Sequence, residues 1–506
     1  MGRVYRTLCP GLLLISLTLV ACGESPVTRR YRIERDMLRA SRMDRQLQIR
    51  SDAPPTPESA REILKTYERV LSRNPLPTRT APADTVIIHE IGRIRAGAEL
   101  RVVDLQRFLG DTTAVRQRLE EGARAYSWDN ALSLTYRRAL IEESLARGDG
   151  GKAVRLYQAM AADLPARGPT GRPVIEVLQA PIRAADLLNQ MGFQDEAFAE
   201  LDRAEVYYRD LIGDSPHDVT AAWSWLQIAE ASRRRNNLNK AADALLQARR
   251  AAAGDSLLEP SILLSLGVLL QEGKRDMPAA IASYAELRRS FPARRELAAE
   301  AMWREAACQG ELKRYDLALA MIDTLESRFP RDRVNIARGR LIGARVLTQE
   351  GRWQEAQSRY RSLQADYPDS PEALSAPFEV AAHYAEQGEM EAVRTTLQRA
   401  IDDYRRLVED PTASDQTRRR AAEIAVSALV KLERWADAAA QIVSNVKRFP
   451  RDPRNPQELI QAAAIYKERL SDPARAADLL EQMATDYPGS PLAGKAREEA
   501  GRLRGQ

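Results

Sequence analysis

The chain has 506 residues, 44% hydrophobic and only 6% aromatic, too many for a single core, so several domains or a repeat array are expected. Its 76 basic and 71 acidic residues leave a net charge of +5, a small excess on a mixed surface that argues against nucleic-acid binding. Of three cysteines, Cys9 and Cys22 lie near the N-terminus, and Cys308 alone cannot build a disulfide framework or a cysteine-cluster metal site.

Residues 1–22 read MGRVYRTLCPGLLLISLTLVAC. Arg3 and Arg6 form a short basic start, and residues 11–21 an uncharged apolar run too short to span a bilayer. The run ends Leu19-Val20-Ala21-Cys22, which resembles the bacterial lipobox. The resemblance implies a signal peptide over 1–21, cleavage before Cys22, and lipid attachment at Cys22. Several acyl chains would then anchor the mature protein stably. Gly23 stands where an Asp would signal inner-membrane retention, so the resemblance points to the outer membrane.

Residues 22–57 are expected to hold a lipidated tether and a basic helix at 30–50, with Ile33, Met37, Leu38 and Leu47 on its apolar side. Seven Arg face three acidic residues there. The helix reads as a cap with a solvated Arg face, or as a surface that meets anionic headgroups. SDAPPTP at 51–57 is a turn-rich break. Irregular repeats are expected over 58–165, with helices at about 58–74, 85–109, 112–126, 129–147 and 150–164. ARGPTGRP at 166–173 is the clearest interior break, either a hinge or an enlarged turn. Helices at about 174–191 and 195–212 open a regular array that runs to 488.

The array is clearest over 276–368, where Pro292, Pro330 and Pro368 lie 38 residues apart. Twelve residues before each proline stands Ala280, Ala318 or Ala356; eight before, Tyr284, Ile322 or Tyr360; five before, a Leu; one before, an aromatic. These steps of four, three and four place all four side chains on one helical stripe. The proline then ends the helix at a fixed place. Gly254 takes a proline's place in this register, and the later stops are Pro411, Pro450 and Pro488. Residues 489–506 read as a polar capping helix. Pro260–Gln271, the most apolar later segment, fits a buried repeat helix. No strand is expected.

The spacing Ala-x3-aromatic-x2-apolar-x4-Pro resembles the second helix of a tetratricopeptide repeat. Gly267, Ala306, Ala344 and Ala464 supply small residues for close approach in the looser first helices, and Trp303, Trp353 and Trp435 supply bulk near helix ends. The resemblance implies an all-α fold, an α-solenoid of about eleven helix pairs in a right-handed superhelix, with a groove that binds peptides or partner helices. With the lipobox, and with YPDSP at 367–371 and YPGSP at 487–491, it also resembles envelope lipoproteins of the β-barrel assembly machine and the Tol–Pal coordinator.

Literal catalytic motifs fall at helix ends and turns. Gly254-Asp255-Ser256-Leu257 spells a lipase motif but follows a helix where that family has a strand. Arg147-Gly148-Asp149 sits in a turn. Glu143-Ser144 resembles the Glu-Ser of lytic transglycosylases, one residue short in spacing and without a sugar-binding domain. His89, His217 and His383 are far apart. No catalytic, cofactor-binding or metal residues are therefore assigned, and no cofactor is expected. The Arg233–Arg235 run reads as helix-dipole complementation, or as a site for an acidic partner. The expected function is an outer-membrane-anchored periplasmic scaffold that binds envelope proteins or peptides through its groove and the membrane through Cys22. The alternatives are a peptidoglycan hydrolase using Glu143, or a surface or secretion-apparatus component.

Overall fold

A computed structural model describes residues 25–49, 56–75, 85–450, 452–488, 490 and 492–505. Cys22 and the leader 1–21 lie outside the described residues. The chain forms two compact units, which meet in sequence at Pro165 and Ala166. Among the described residues there is no strand, only an isolated bridge between Arg167 and Pro173. None of the helices is long and apolar enough to cross a membrane. The fold is an all-α solenoid of TPR-like helix pairs.

The first unit holds α1 (Pro26–Ile49), α2 (Pro57–Arg73), α3 (Thr85–Phe108), α4 (Thr112–Ala125), α5 (Asn130–Ala146) and α6 (Gly150–Asp163). The second opens with α7 (Ile175–Gln190), α8 (Gln194–Asp214), α9 (Val219–Arg234), α10 (Leu238–Ala251), α11 (Leu258–Val268), α12 (Met277–Ser290), α13 (Arg295–Glu311) and α14 (Tyr315–Arg328). It continues with α15 (Arg333–Glu350), α16 (Trp353–Asp366), α17 (Pro371–Glu386), α18 (Met390–Glu409), α19 (Asp415–Lys431) and α20 (Trp435–Arg448). It closes with α21 (Asn455–Glu468), α22 (Pro473–Asp486) and α23 (Ala493–Arg504).

The proline-anchored stripe is core. Ala280, Tyr284, Leu287, Ala318, Ile322, Leu325, Ala356, Tyr360 and Leu363 are all buried. Phe291, Phe329 and Tyr367 cap α12, α14 and α16 with φ of −128°, −124° and −135° and ψ of 54°, 49° and 48°, outside the helical region that a following proline disfavours. Pro411 arrives late because α18 runs to Glu409, and Ala400 and Tyr404 carry the stripe there. Val86–Ile88, a short β-branched run, is helical within α3.

A second device closes the opposite end of each pair. One residue with positive φ sits in the turn between the two helices: Gly148, Gly192, Asn236, Arg275, Lys313, Gly351, Gly388, Glu433 and Ser471. The next backbone N–H returns to a carbonyl five residues earlier, as in Arg314 to Gln309 (2.9 Å) and Arg352 to Leu347 (2.9 Å). This is the Schellman stop, which satisfies carbonyls that the helix end leaves open. At Asp276 and Asp472 the bond reaches back six residues instead.

Several expectations need correction. Leu38 points outward at 47% exposure, and the inner face of α1 is Ile33, Asp36, Ala40 and Asp44. The acidic pair is buried because it has partners: Arg101 donates to Asp44 at 2.7 and 2.8 Å, and Asn74 donates to Asp36 at 3.4 Å. Ala464 is only half-buried, since Ala462 and Ala463 take the packing positions in α21. Tyr157 is likewise half-buried. Trp353 and Trp435 open their helices, but Trp303 lies mid-helix, where its indole N–H donates to Asn335 at 3.0 Å. The 166–173 break is a closed turn: Val174 N donates to Ala166 O and Gly168 N to Arg172 O, both at 2.8 Å. Arg167 pins it to Ser215, Asp218 and Thr220.

Burial raises the phenol pKa of Tyr67 and Tyr207 to about 12, with Asp44 adding to the effect at Tyr67, and raises Tyr126, Tyr136, Tyr208, Tyr284 and Tyr404 further. The neutral phenol is the form that folding favours. The stabilisation is therefore complete below the unfolded value near 10 and lost as pH rises through 12. In an alkaline titration, ionisation of these rings at 295 nm should coincide with loss of helical circular dichroism between pH 10 and 12. Complete tyrosine ionisation with helicity intact would contradict the packing described.

Candidate binding groove

The literal motifs are accounted for by local structure. Glu143 is buried and paired with Arg147 at 2.8 Å and Arg107 at 3.7 Å. The Ser144 hydroxyl donates to Leu140 O at 2.7 Å within α5. Asp149 caps α6 by accepting from Lys152 N, beside the left-handed Gly148. In the 254–257 stretch, Asp255 accepts from Leu257 and Leu258 N, and Ser256 O accepts from Arg294 Nε at 2.7 Å. His89 stacks on Trp128 at 4.3 Å and His383 on Trp353 at 3.6 Å, while His217 is exposed. Cys308 is fully buried, which pushes its thiol pKa up to about 12. No group of described His, Cys, Asp and Glu side chains could hold a metal ion.

The basic run 233–235 does more than face a helix dipole. Arg233 donates to Glu230 at 2.6 Å, Arg234 reaches Asp186 on α7 at 2.7 Å, and Arg235 reaches Asp202 on α8 at 2.6 Å. The hydrogen bond from Arg233, followed by attraction from both arginines, holds the Glu230 carboxyl below its usual range. Asn236 takes the left-handed position, and Asn237 caps α10 by accepting from Lys240 N. The run therefore joins successive pairs and closes a turn.

A recess lies beside it. From α7 to α19, consecutive first helices of the pairs pack on one another, except that α9 and α11 touch little or not at all. Between them opens a cleft of about 690 Å3 whose third wall is α10. Its apolar lining includes Leu226, Leu238, Leu245, Leu264, Val268 and Leu269, and its rim carries Glu230, Arg233, Asn236, Ser265 and Glu272. Leu226, Leu264 and Val268 are only half-buried, so apolar surface faces the opening.

The cleft coincides with two irregularities in the repeat. Gly254, at φ +84°, replaces the proline stop, and α11 begins only at Leu258. Helix α11 then passes into a π-helical turn, Leu269–Gly273, an extra-residue device common at functional sites. Two side chains hold the π turn. Tyr284 donates to Gln271 at 2.8 Å, and Arg304 donates to Glu272 at 2.9 Å while lying 4.6 Å from the Trp303 ring. Gly267 lets the Tyr284 ring in, since a β-carbon there would lie 2.3 Å from it.

The rim charges are paired and the floor is aliphatic. Such a lining is complementary to apolar side chains. Its volume falls within the range of about 300–1,000 Å3 common to ligand clefts. Sequence reasoning missed Leu226, Leu264 and Val268. Two signals marked the place: Gly254 in a proline position, and a 260–271 segment more apolar than one buried stripe requires.

A tetratricopeptide-repeat sequence model matches residues 341–370, the end of α15, all of α16 and the YPDS turn after it. No curated protein matches the chain in sequence. Among solved structures, yeast Tom70 is 12% identical, with a TM-score of 0.39, over 95% of this chain and 96% of its own. The apo quorum sensor NprR from B. thuringiensis is 13% identical, with a TM-score of 0.34, over 74% and 99%. A signal-transduction ATPase with a tetratricopeptide-repeat sensor from Pyrococcus horikoshii is 13% identical, with a TM-score of 0.39, over 76% and 64%.

Proposed function

We propose that this TPR-like solenoid is a lipid-anchored scaffold of the bacterial envelope that recruits a protein partner through the cleft between α9 and α11. The cleft carries the reading: half-buried leucines within a rim of satisfied ion pairs form the surface an apolar anchor of a peptide or helix occupies. The lipobox at Cys22 supports anchoring, and Gly23 after it supports the outer membrane, facing the periplasm. The resemblance of its sequence to envelope lipoproteins of the β-barrel assembly and Tol–Pal type supports the same reading.

The test is photo-crosslinking in living cells from a reactive residue at Ser265, with the exposed Leu317 as a control position. A specific adduct is expected at Ser265, falling about tenfold when Leu264→Glu is added, a typical loss for one anchor contact. Leu264 is half-buried, so the variant should fold. Equal adducts at both positions, or an adduct indifferent to Leu264→Glu, would remove the cleft from the reading. Anchoring is tested by Cys22→Ser, which should leave the membrane fraction and lose the lipid-dependent mass.

A further inference from the structure

The outward face of α1 has no role in the scaffold described above. The helix carries seven Arg against Glu34, Asp36 and Asp44. Both aspartates are turned inward and buried, on the stripe with Ile33 and Ala40 that packs on α2 and α3. Folding thus turns most of the arginines away from the two aspartates, and Arg35 alone of the outward set reaches Asp36, at 3.4 Å. On the opposite side stand Arg35, Arg39, Arg42 and Arg45, all exposed, with Glu34 as the one acid of α1 among them.

Large apolar side chains share that outward side. Val27 is 62% exposed, Tyr31 67% and Leu38 47%. Their steps of four and seven put them on one stripe, which Arg42 and Arg45 continue. A solvated helix face has no need of three such side chains in register. An interfacial helix has this composition: apolar and aromatic groups that enter the headgroup boundary, flanked by cations for anionic lipid.

We infer that the outward face of α1 is a docking surface for an anionic phospholipid bilayer. Asp44–Arg101 and Asp36–Asn74 lock the inner face to the first unit, so docking would orient that unit at the surface. The lipid anchor proposed above would add proximity. Only three residues separate Cys22 from Pro26, so the attachment point lies within about 14 Å of the helix start.

The test uses the mature chain with Ser at position 22, exported behind a removable leader, so that no acyl chain is present. Vesicles of phosphatidylcholine alone, or with one-third phosphatidylglycerol, are sedimented with it at low salt and at 0.5 M NaCl. Binding is expected only to the anionic vesicles and to be lost at high salt. Arg39→Glu, Arg42→Glu and Arg45→Glu together should weaken it by roughly tenfold or more with an unchanged thermal melt. Tyr31→Ser with Leu38→Ser, which leaves the charge intact, should weaken it independently. Equal binding to neutral vesicles, or undiminished binding by both variants, would overturn the proposal. So would absence of binding with self-association through this face, which would assign the face to a second copy. None of these results depends on acylation, so the anchor and the docking face fail separately.

Discussion

Tyr284→Ala is expected to destabilise the second unit by about 3–5 kcal/mol, the cost of emptying a large aromatic site in a packed core. The ring is fully buried, packed against Gly267, and its hydroxyl holds Gln271 in the π turn. In a solenoid each pair is stabilised mainly by its neighbours, so the loss should appear first as local opening of α11 to α13. Hydrogen exchange should show those amides losing protection while α19 to α22 keep theirs. Tyr284→Phe isolates the hydroxyl and should cost about 1 kcal/mol. If alanine and phenylalanine cost the same, or if protection is lost uniformly, the ring is not the local keystone described.

The second large effect is expected at Arg101. Its two hydrogen bonds to Asp44 leave it 29% exposed in its side chain, whereas Asp44 is buried. Arg101→Met should cost about 3 kcal/mol, toward the low end for breaking a buried pair, because the carboxylate loses two charged hydrogen bonds inside the fold and keeps the weaker one from the Tyr67 hydroxyl at 3.3 Å. The consequence should be detachment of α1, seen as proteolysis at its arginines, with the melt of the second unit unchanged. Adding Asp44→Asn should recover part of the loss, since an amide costs less to leave there. A single variant with α1 still protected would show that Ile33, Ala40 and the Asn74 contacts hold the helix without Arg101. This result also bears on membrane docking, because a detached α1 would no longer orient the first unit at a lipid surface.

The helices were readable because their apolar positions keep one period and their ends carry local signals. Tyr208, Tyr284 and Tyr360 stand at one place in the stripe, and all are buried. The left-handed turns were less readable. Gly351 and Gly388 announce theirs, but Arg275, Lys313, Glu433 and Ser471 occupy the same conformation with no compositional mark. Tertiary packing on both flanking helices supplies the ~1–2 kcal/mol such a residue costs. Leu38 was misplaced for a related reason: α1 buries Asp36 and Asp44 in preference to a leucine. That choice depends on Arg101 and Asn74, which are 57 and 38 residues away.

The sequence by itself determined the all-α class, the helix boundaries and the repeating stripe, because periodicity, caps and X–Pro stops act over a few residues. It also carried the lipobox-like stretch ending at Cys22 from which anchoring is proposed. Only the tertiary structure decided where the regular packing fails. The cleft between α9 and α11 lies beside Gly254, the π turn and the Tyr284 and Arg304 bonds, a combination that no single residue's propensity encodes. The division of α1 into an acidic inner and a basic outer face was decided in the same way. It required partners on α2, α3 and the turn after α2 to pull two aspartates inward.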